Sequence, residues 1–159
     1  MRNKAEPEIA TQFRVTVPNL PGMLAKVTSL LLRNKINITG MMTESLGDVV
    51  HIRLLADRES GVTRVLENAG YPVLEVQVFK IDVPNKPGGL NRLAKALAEE
   101  DVNILCVYGT ASVGARAKIV LAVDQQEKAA PIVAKWGTDG EALKTEKHRN
   151  ERERAAIKA

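Results

Sequence analysis

The chain has 159 residues, enough for one ordinary domain or two very small ones. Hydrophobic residues make up 45% and charged residues 26%, a balance typical of globular proteins that argues against wholesale disorder. The 23 Lys and Arg against 19 acidic residues leave a formal charge of +4, which is too small and too evenly mixed to indicate a nucleic acid or a membrane surface as partner.

The apolar runs and the cysteine content argue against a membrane, secreted or disulfide-bonded protein. No uncharged apolar stretch approaches the ~18 residues of a membrane helix, and residues 1–8 lack the apolar core of a secretion signal. The single cysteine, Cys106, excludes an internal disulfide and a cysteine-based metal cluster within one chain. We therefore expect a cytoplasmic protein that needs no cofactor.

A tandem repeat organises the chain. The segment 17–24 (VPNLPGML) recurs as the segment 83–90 (VPNKPGGL). The shift is 66 residues, as from Asn19 to Asn85. The dipeptide Asn-Ile recurs at the same spacing, from 37–38 to 103–104. Repetition at a held register predicts a duplicated unit of about that length. The predicted limits are 11–77 for a first domain, 78–146 for a second domain and 147–159 for a charged C-terminal tail.

Each copy predicts the same order of elements. In the first copy, 13–17 alternates apolar and polar residues like a half-buried strand, and 23–31 carries the apolar stripe of a helix. Two strands joined by a short turn at 46–48 must be antiparallel neighbours. A short helix at 62–69 and a closing strand at 73–79 complete the unit. The predicted fold class is α+β, with two ferredoxin-like βαββαβ units whose antiparallel sheets carry helices on one face.

The second copy departs from the first near its end. Pro131 lies within its second helix and should kink that helix or delay its start. Where a closing strand is due, 139–146 lacks alternating large apolar residues, so it forms a weak edge strand or the sheet ends one strand short. The segment 147–158 is nearly all charge. It is either a solvated helix or tail, or a docking segment for an acidic partner.

The residue types favour no catalytic chemistry. His51 and His148 have no nucleophile at a recognisable spacing, and the sequence has neither a phosphate-binding Gly-rich loop nor metal-ligand spacing. Cys106 has apolar neighbours, so we expect a small buried apolar residue rather than a reactive thiol. We predict that the protein is not an enzyme and has no metal site.

The two Asn-x-Pro-Gly turns are more informative. Each places backbone N–H groups that lack intrahelical partners at the start of a helix, where the helix dipole favours negative charge. Carboxamides lie on both sides of each helix, at Asn19 and Asn37 in the first copy and at Asn85 and Asn103 in the second. Such a set suits an α-amino acid, which brings both a carboxylate and an ammonium group. Asn before Pro-Gly is equally ordinary turn and cap chemistry, so a purely structural role is the alternative.

The repeated unit, the Asn-x-Pro-Gly-x-Leu turn and the later Asn-Ile resemble ACT domains, which are small amino-acid-sensing regulatory modules. The resemblance covers residues 11–136, and the tandem arrangement resembles that of stand-alone ACT-repeat proteins. It implies a non-catalytic allosteric sensor that holds a small amino acid at interfaces between ACT units. The binding residues implied by position are Asn19, Leu20, Gly22, Met23, Leu24 and Asn37 in the first copy, and Asn85, Lys86, Gly88, Gly89, Leu90 and Asn103 in the second.

Two features of these loops bear on the ligand. Serine-binding members of the family have a histidine two residues before the loop asparagine, where this chain has Val17 and Val83. The resemblance therefore implies an effector more apolar than serine. Met23 in one copy corresponds to Gly89 in the other, which predicts pockets of unequal volume and occupancy.

Other functions of this fold fit the sequence less well. RNA-recognition modules need aromatic residues on the middle strands, where this chain has 51–53 and 119–121 without any. Metal carriers need a loop with paired cysteines. The alternative function is a regulatory or assembly subunit that pairs with a separate amino-acid-metabolism enzyme without needing a ligand. We expect a homodimer formed through exposed sheet edges, and no nucleic acid or membrane partner.

Overall fold

The computed structural model describes residues 7–110 and 116–137, which form two compact units. The N-terminal unit comprises Ile9–Val78, and the C-terminal unit comprises the residues from Phe79 onward together with Glu8. The domain limits drawn from the sequence, at 11–77, 78–146 and 147–159, stay predictions, and the last of these segments lies outside the described residues.

The N-terminal unit has the order βαββαβ. Its elements are β1 (Glu8–Pro18), α1 (Met23–Arg33), β2 (Ile38–Leu46), β3 (Val49–Ala56), α2 (Val62–Glu67) and the first part of β4 (Val73–Pro84). The strands lie in the order β2-β3-β1-β4, and β3 is antiparallel to both of its neighbours. Only two residues join β2 to β3, and Gly47 at the first of them has a φ of 64°, as a type II′ turn requires.

The core of the N-terminal unit lies on one face of this sheet. Alternate residues of β1 point to that face, where Phe13 and Val15 are buried with 1% and 0% exposure. Helix α1 covers them with Val27 and Leu31, which are four residues apart and therefore share one side of the helix. The opposite face of β1 carries Gln12, Arg14 and Thr16. The sequence pattern thus fixes which side chains meet the helices.

The C-terminal unit begins with the same order. It contains the rest of β4, α3 (Gly89–Glu99), β5 (Ile104–Thr110), β6 (Arg116–Val123) and α4 (Gln126–Gly137). Its strands lie in the order β4-β6-β5, and both pairs are antiparallel. Phe79 and Ile81 of β4 are buried together with Leu93 and Leu97 of α3. The predicted fold class is confirmed, while the segment 139–146, where a closing strand was in question, lies outside the described residues.

Two helices differ in detail from the sequence-based expectations. Helix α2 ends at Glu67 rather than at 69, since the chain turns at Gly70 with a φ of 84°. Helix α4 begins at Gln126 although it contains Pro131, so Pro131 does not delay its start. The buried side chains of Ala129, Ile132 and Val133 pack this helix on the core, which offsets the hydrogen bond lost at proline.

Cys106 is half-buried rather than buried, so the expectation of a buried apolar residue is wrong. Burial alternates along β5, where the neighbouring Leu105 and Val107 are 58% and 37% exposed. Among the described strands β5 is the last in the order β4-β6-β5, so it has one hydrogen-bonded neighbour. An apolar run on such a strand does not imply burial.

Candidate functional site: the two Asn-x-Pro-Gly loops

The first predicted site residue, Asn19, ties its loop to the β2–β3 hairpin. Its Nδ2 donates hydrogen bonds to Ser45 Oγ at 3.0 Å and to Gly47 O at 2.9 Å. Its backbone N–H donates to Asp48 O at 2.9 Å. Both donors of Asn19 are therefore used within the N-terminal unit. Its side-chain oxygen is the atom that is left to meet an ammonium group.

Both helices start from a glycine in the left-handed region. Gly22 before α1 has a φ of 85°, and Gly88 before α3 has a φ of 87°. Residues with a side chain rarely adopt this conformation, so glycine is required for the bend itself. Neither helix start has a side-chain cap. The predicted geometry of a bend followed by uncapped amides is present in both units.

The next amide in each loop is already bonded within the protein. Met23 N–H donates to Leu20 O at 3.4 Å, and Gly89 N–H donates to Lys86 O at 3.0 Å. These two donors are not open to a ligand in this conformation. Each loop therefore offers one backbone N–H group fewer than the sequence predicts. Within the described residues, no backbone hydrogen bond is donated by Gly22, Leu24, Gly88 or Leu90.

The asparagines that follow the helices lie at the other end of their units. Asn37 N–H donates to Asp57 Oδ1 at 3.0 Å, and Asp57 N–H donates back to Asn37 O at 3.0 Å. Asn103 makes the same exchange with Asp124, at 2.9 and 3.1 Å. A helix of 11 residues, about 16 Å long, separates Asn19 from Asn37. One unit therefore does not bring its two predicted asparagines together.

A cavity of about 490 Å³ lies beside the second loop, inside the C-terminal unit. It is lined by Val83, Pro84, Asn85, Lys86, Pro87, Leu90, Val107, Tyr108, Gly109, Ala117 and Ile119. Of the predicted site residues, Asn85, Lys86 and Leu90 line it, and Gly88 and Gly89 do not. The loop forms one wall, and strands β4, β5 and β6 form the floor.

The floor of this cavity was missed by the sequence analysis. Val83 pairs with Ala117 across β4 and β6, and Gly109 pairs with Ile119 across β5 and β6. Because directly opposed residues in antiparallel strands share a face, this register carries all four to the side that the loop overhangs. The position of Gly109 depends on the bulge between Ile104 and Cys106, which no local pattern announces.

The cavity combines an apolar floor with a charged rim. Val83, Val107 and Ile119 present branched aliphatic side chains, and Val83 is 4% exposed. Lys86 is the charged residue of the lining, and its exposed ammonium group can meet a carboxylate. The arrangement suits a small molecule with an anionic end and an aliphatic part. At the matching loop position the N-terminal unit has Leu20, which is 63% exposed and carries no charge.

Two glycines of the C-terminal unit lie where a side chain would collide with the backbone. A Cβ atom on Gly89 would lie 2.2 Å from Pro84 O, and a Cβ atom on Gly109 would lie 2.6 Å from Lys118 O. No side chain can take either place unless the backbone moves. The N-terminal unit has Met23 in place of Gly89 and Thr43, the partner of Ile52, in place of Gly109. The prediction of unequal pockets is untested, and these substitutions give it a physical basis.

Among the described residues, no three His, Cys, Asp or Glu side chains are grouped to hold a metal ion. No helix within 7–110 and 116–137 has both the length and the apolar character needed to cross a bilayer.

These features define a class of protein: an α+β chain built of ferredoxin-like units, with a glycine bend before the first helix of each. Residues 11–71 match the family model described as the ACT domain. This match confirms the resemblance to ACT domains that was stated from the sequence. The C-terminal unit repeats its order of elements as far as the described residues extend.

Solved structures share the fold. The chain is similar to protein BT0572 from Bacteroides thetaiotaomicron, at 23% identity and a TM-score of 0.75, over 81% of this chain and 89% of that one. It is similar to the ligand-free regulatory subunit of aspartate kinase from Thermus thermophilus, at 18% identity and a TM-score of 0.57, over 81% and 92%.

A third structure is described as a putative C-terminal regulatory domain of aspartate kinase from Porphyromonas gingivalis, at 14% identity and a TM-score of 0.58, over 85% of this chain and 96% of that one. A comparison with curated protein sequences finds no match. At these identities the structures show a common fold.

Proposed function

We propose that this protein is a non-catalytic regulatory protein that binds a small amino acid at the Asn85 loop. The observation that carries the proposal is the cavity of about 490 Å³ beneath that loop, with Lys86 at its rim. The ACT match over residues 11–71 supports a regulatory role. Two of the structures that share the fold are described as regulatory parts of aspartate kinase, which supports the same role.

The lining of the cavity defines the expected class of effector. The Lys86 ammonium group neutralises the carboxylate of the ligand, next to the helix start, where the dipole also favours negative charge. Val107 and Ile119 contact an aliphatic side chain. Val83 occupies the place where serine-binding ACT domains have histidine. This supports an effector with an apolar side chain rather than serine.

The proposal includes a second copy of the chain. Asn19 and Asn37 lie at opposite ends of one unit, so a ligand that uses both kinds of asparagine takes them from two different units. Exposed apolar residues surround the first loop: Leu20, Leu24 and Leu46 are 63%, 40% and 50% exposed. Burial of this group stabilises association through the hydrophobic effect. We therefore propose a homodimer, and light scattering that shows a strict monomer at high concentration contradicts it.

A melting screen over the twenty amino acids tests the ligand. A ligand at ~100 times its dissociation constant should raise stability by ~2.7 kcal/mol. We expect an aliphatic amino acid to give this response and Lys86→Met to remove it. Lys95→Met, on the exposed side of α3, is the matched control and should retain it.

The alternative outcome has a separate signature. If no amino acid changes the melting temperature, sensing is wrong, and an assembly subunit that pairs with a separate enzyme takes its place. The bonded amides of Met23 and Gly89 are the observation that favours that alternative. In that case the complex with the enzyme forms equally well with and without amino acids.

A further inference from the structure

The face of the N-terminal sheet opposite α1 and α2 carries a polar cluster that amino-acid sensing does not use. Helices α1 and α2 pack on the face that holds Val15, so the alternate residues of β1 point to the other face. We call the group on that face the arginine cluster. It consists of Gln12, Arg14, Thr16, Glu44, His51 and Arg53.

Two arginines lie side by side in this cluster. Arg14 and Arg53 are direct register partners in antiparallel strands, which places their Cβ atoms ~4.5–5.5 Å apart. Like charges in that arrangement repel one another. The Nε atoms of both residues are buried and have no hydrogen-bond partner. Such a pair is stabilised when an anion lies between or over the two guanidinium groups.

The carboxylates of the cluster do not balance this charge. Glu44 pairs with Arg53 at 3.1 Å, and within the described residues this is the ion pair that the cluster forms. His51 Nδ1 lies 3.1 Å from Thr16 Oγ1, so the imidazole is occupied by a neutral partner. Among the described residues, no carboxylate forms an ion pair with Arg14.

Gln12 gives an independent indication of a missing ligand. It is two residues before Arg14 on the same face of β1 and is 1% exposed. Neither Oε1 nor Nε2 of its carboxamide has a hydrogen-bond partner. Buried polar groups are nearly always bonded, so an orphaned carboxamide next to a spare guanidinium indicates that a polar molecule belongs there.

We propose that the arginine cluster binds a small oxyanion, a phosphate or carboxylate group, on the face of the N-terminal sheet opposite α1 and α2. Arg14 supplies the positive charge that binds the anion. Arg53 contributes a second guanidinium group, which also pairs with Glu44, and Gln12 Nε2 donates a further hydrogen bond. A planar guanidinium presents two parallel N–H groups to two anion oxygens, which favours an oxyanion over chloride. The site is distinct from the loop cavity in the C-terminal unit.

Anion titration at constant ionic strength tests the site. Chloride is replaced stepwise by inorganic phosphate, sulfate or succinate, so that general screening stays the same. We expect the melting temperature to rise with at least one of these anions, and the anion that acts identifies a phosphate or a carboxylate ligand. Arg14→Gln should weaken the apparent affinity at least tenfold, and Arg58→Gln, an exposed arginine after β3, should leave it unchanged. An absent response, or an equal response in Arg14→Gln, overturns the proposal.

A built-in anion provides the second test. Gln12→Glu places a carboxylate beside Arg14, so we expect a higher melting temperature in chloride and no further rise with phosphate. Gln12→Leu also removes the orphaned carboxamide but supplies no charge, so it should keep a response to the anion that Arg14 binds. A response to that anion as large in Gln12→Glu as in Gln12→Leu overturns the proposal. Lys86→Met should keep the anion response, so failure here is distinguishable from failure of amino-acid sensing.

Discussion

The two Asn-x-Pro-Gly loops have nearly the same sequence and do different things. In the N-terminal unit, Asn19 uses its nitrogen atoms to hold the β2–β3 hairpin, and the buried Met23 packs beneath the helix start. In the C-terminal unit, Gly89 lets the helix start approach Pro84 O closely, and a cavity lined by Asn85 and Lys86 lies beside the loop. The repeated motif therefore keeps the glycine bend in both units, while the residues below the bend differ between them.

The largest expected effect comes from making the second loop like the first. Gly89→Met places a Cβ atom 2.2 Å from Pro84 O, a contact that only a backbone shift relieves. We expect a loss of about 3 kcal/mol or more of unfolding free energy, because overpacking against backbone cannot be absorbed by a rotamer change. Urea denaturation measures it. The conservative change Met23→Leu at the matching position is the control, with less than about 1.5 kcal/mol lost.

Substitution of Asn19 and of Asn85 should have different effects, because we assign the ligand to the second loop. Asn19→Ala removes the hydrogen bonds to Ser45 and Gly47, and we expect a cost of about 1 kcal/mol since the pair is exposed. The same variant should leave the proposed amino-acid response of the C-terminal unit unchanged. Asn85→Ala should remove that response. Calorimetric titration with the amino acid measures binding to both variants. Equal binding by the two variants contradicts the assignment of the ligand to the second loop.

The smallest expected effect is a pH dependence in the N-terminal unit. Thr11 donates to Glu59 through its backbone N–H and its hydroxyl, each at 2.7 Å, and these bonds, the backbone one first, lower the pKa of Glu59. A lowered folded-state pKa means that the stabilisation is present above the unfolded-state pKa and is lost as pH falls through the folded-state value. Melting curves of Glu59→Gln should therefore depend less on pH in the acidic range. Unchanged pH dependence rules out this contribution.

The fold could be predicted from the sequence because the residues of each helix, strand and turn have a spacing typical of that element. The alternation at 13–17 and the stripe at Val27 and Leu31 specify which face is buried, and Gly47 specifies the hairpin turn. These signals depend on residues close in sequence, so a single chain is enough to find them. The duplicated register then extended the prediction to the second unit.

The site could be predicted only in part, since its floor depends on long-range pairing. Gly109 reaches the cavity through a bulge and a register with β6 that no neighbouring residue encodes. The sequence groups Asn37 with Asn19 as carboxamides on either side of one helix, and that helix holds them apart. The bonded amide of Gly89 depends on how the loop closes on Lys86 O, which sequence spacing does not determine.

The reciprocal exchange between Asn37 and Asp57, repeated at Asn103 and Asp124, affects how relatives of this chain should be sought in genomes. It fastens the beginning of one strand to the end of its neighbour through main-chain amides and a carboxylate. Selection for a sound scaffold alone would preserve the acidic residue. Because Asn37 and Asn103 contribute only main-chain atoms, another residue could replace either asparagine without loss of these bonds. A search for chains with this scaffold should therefore require the acidic residue and leave the asparagine position open.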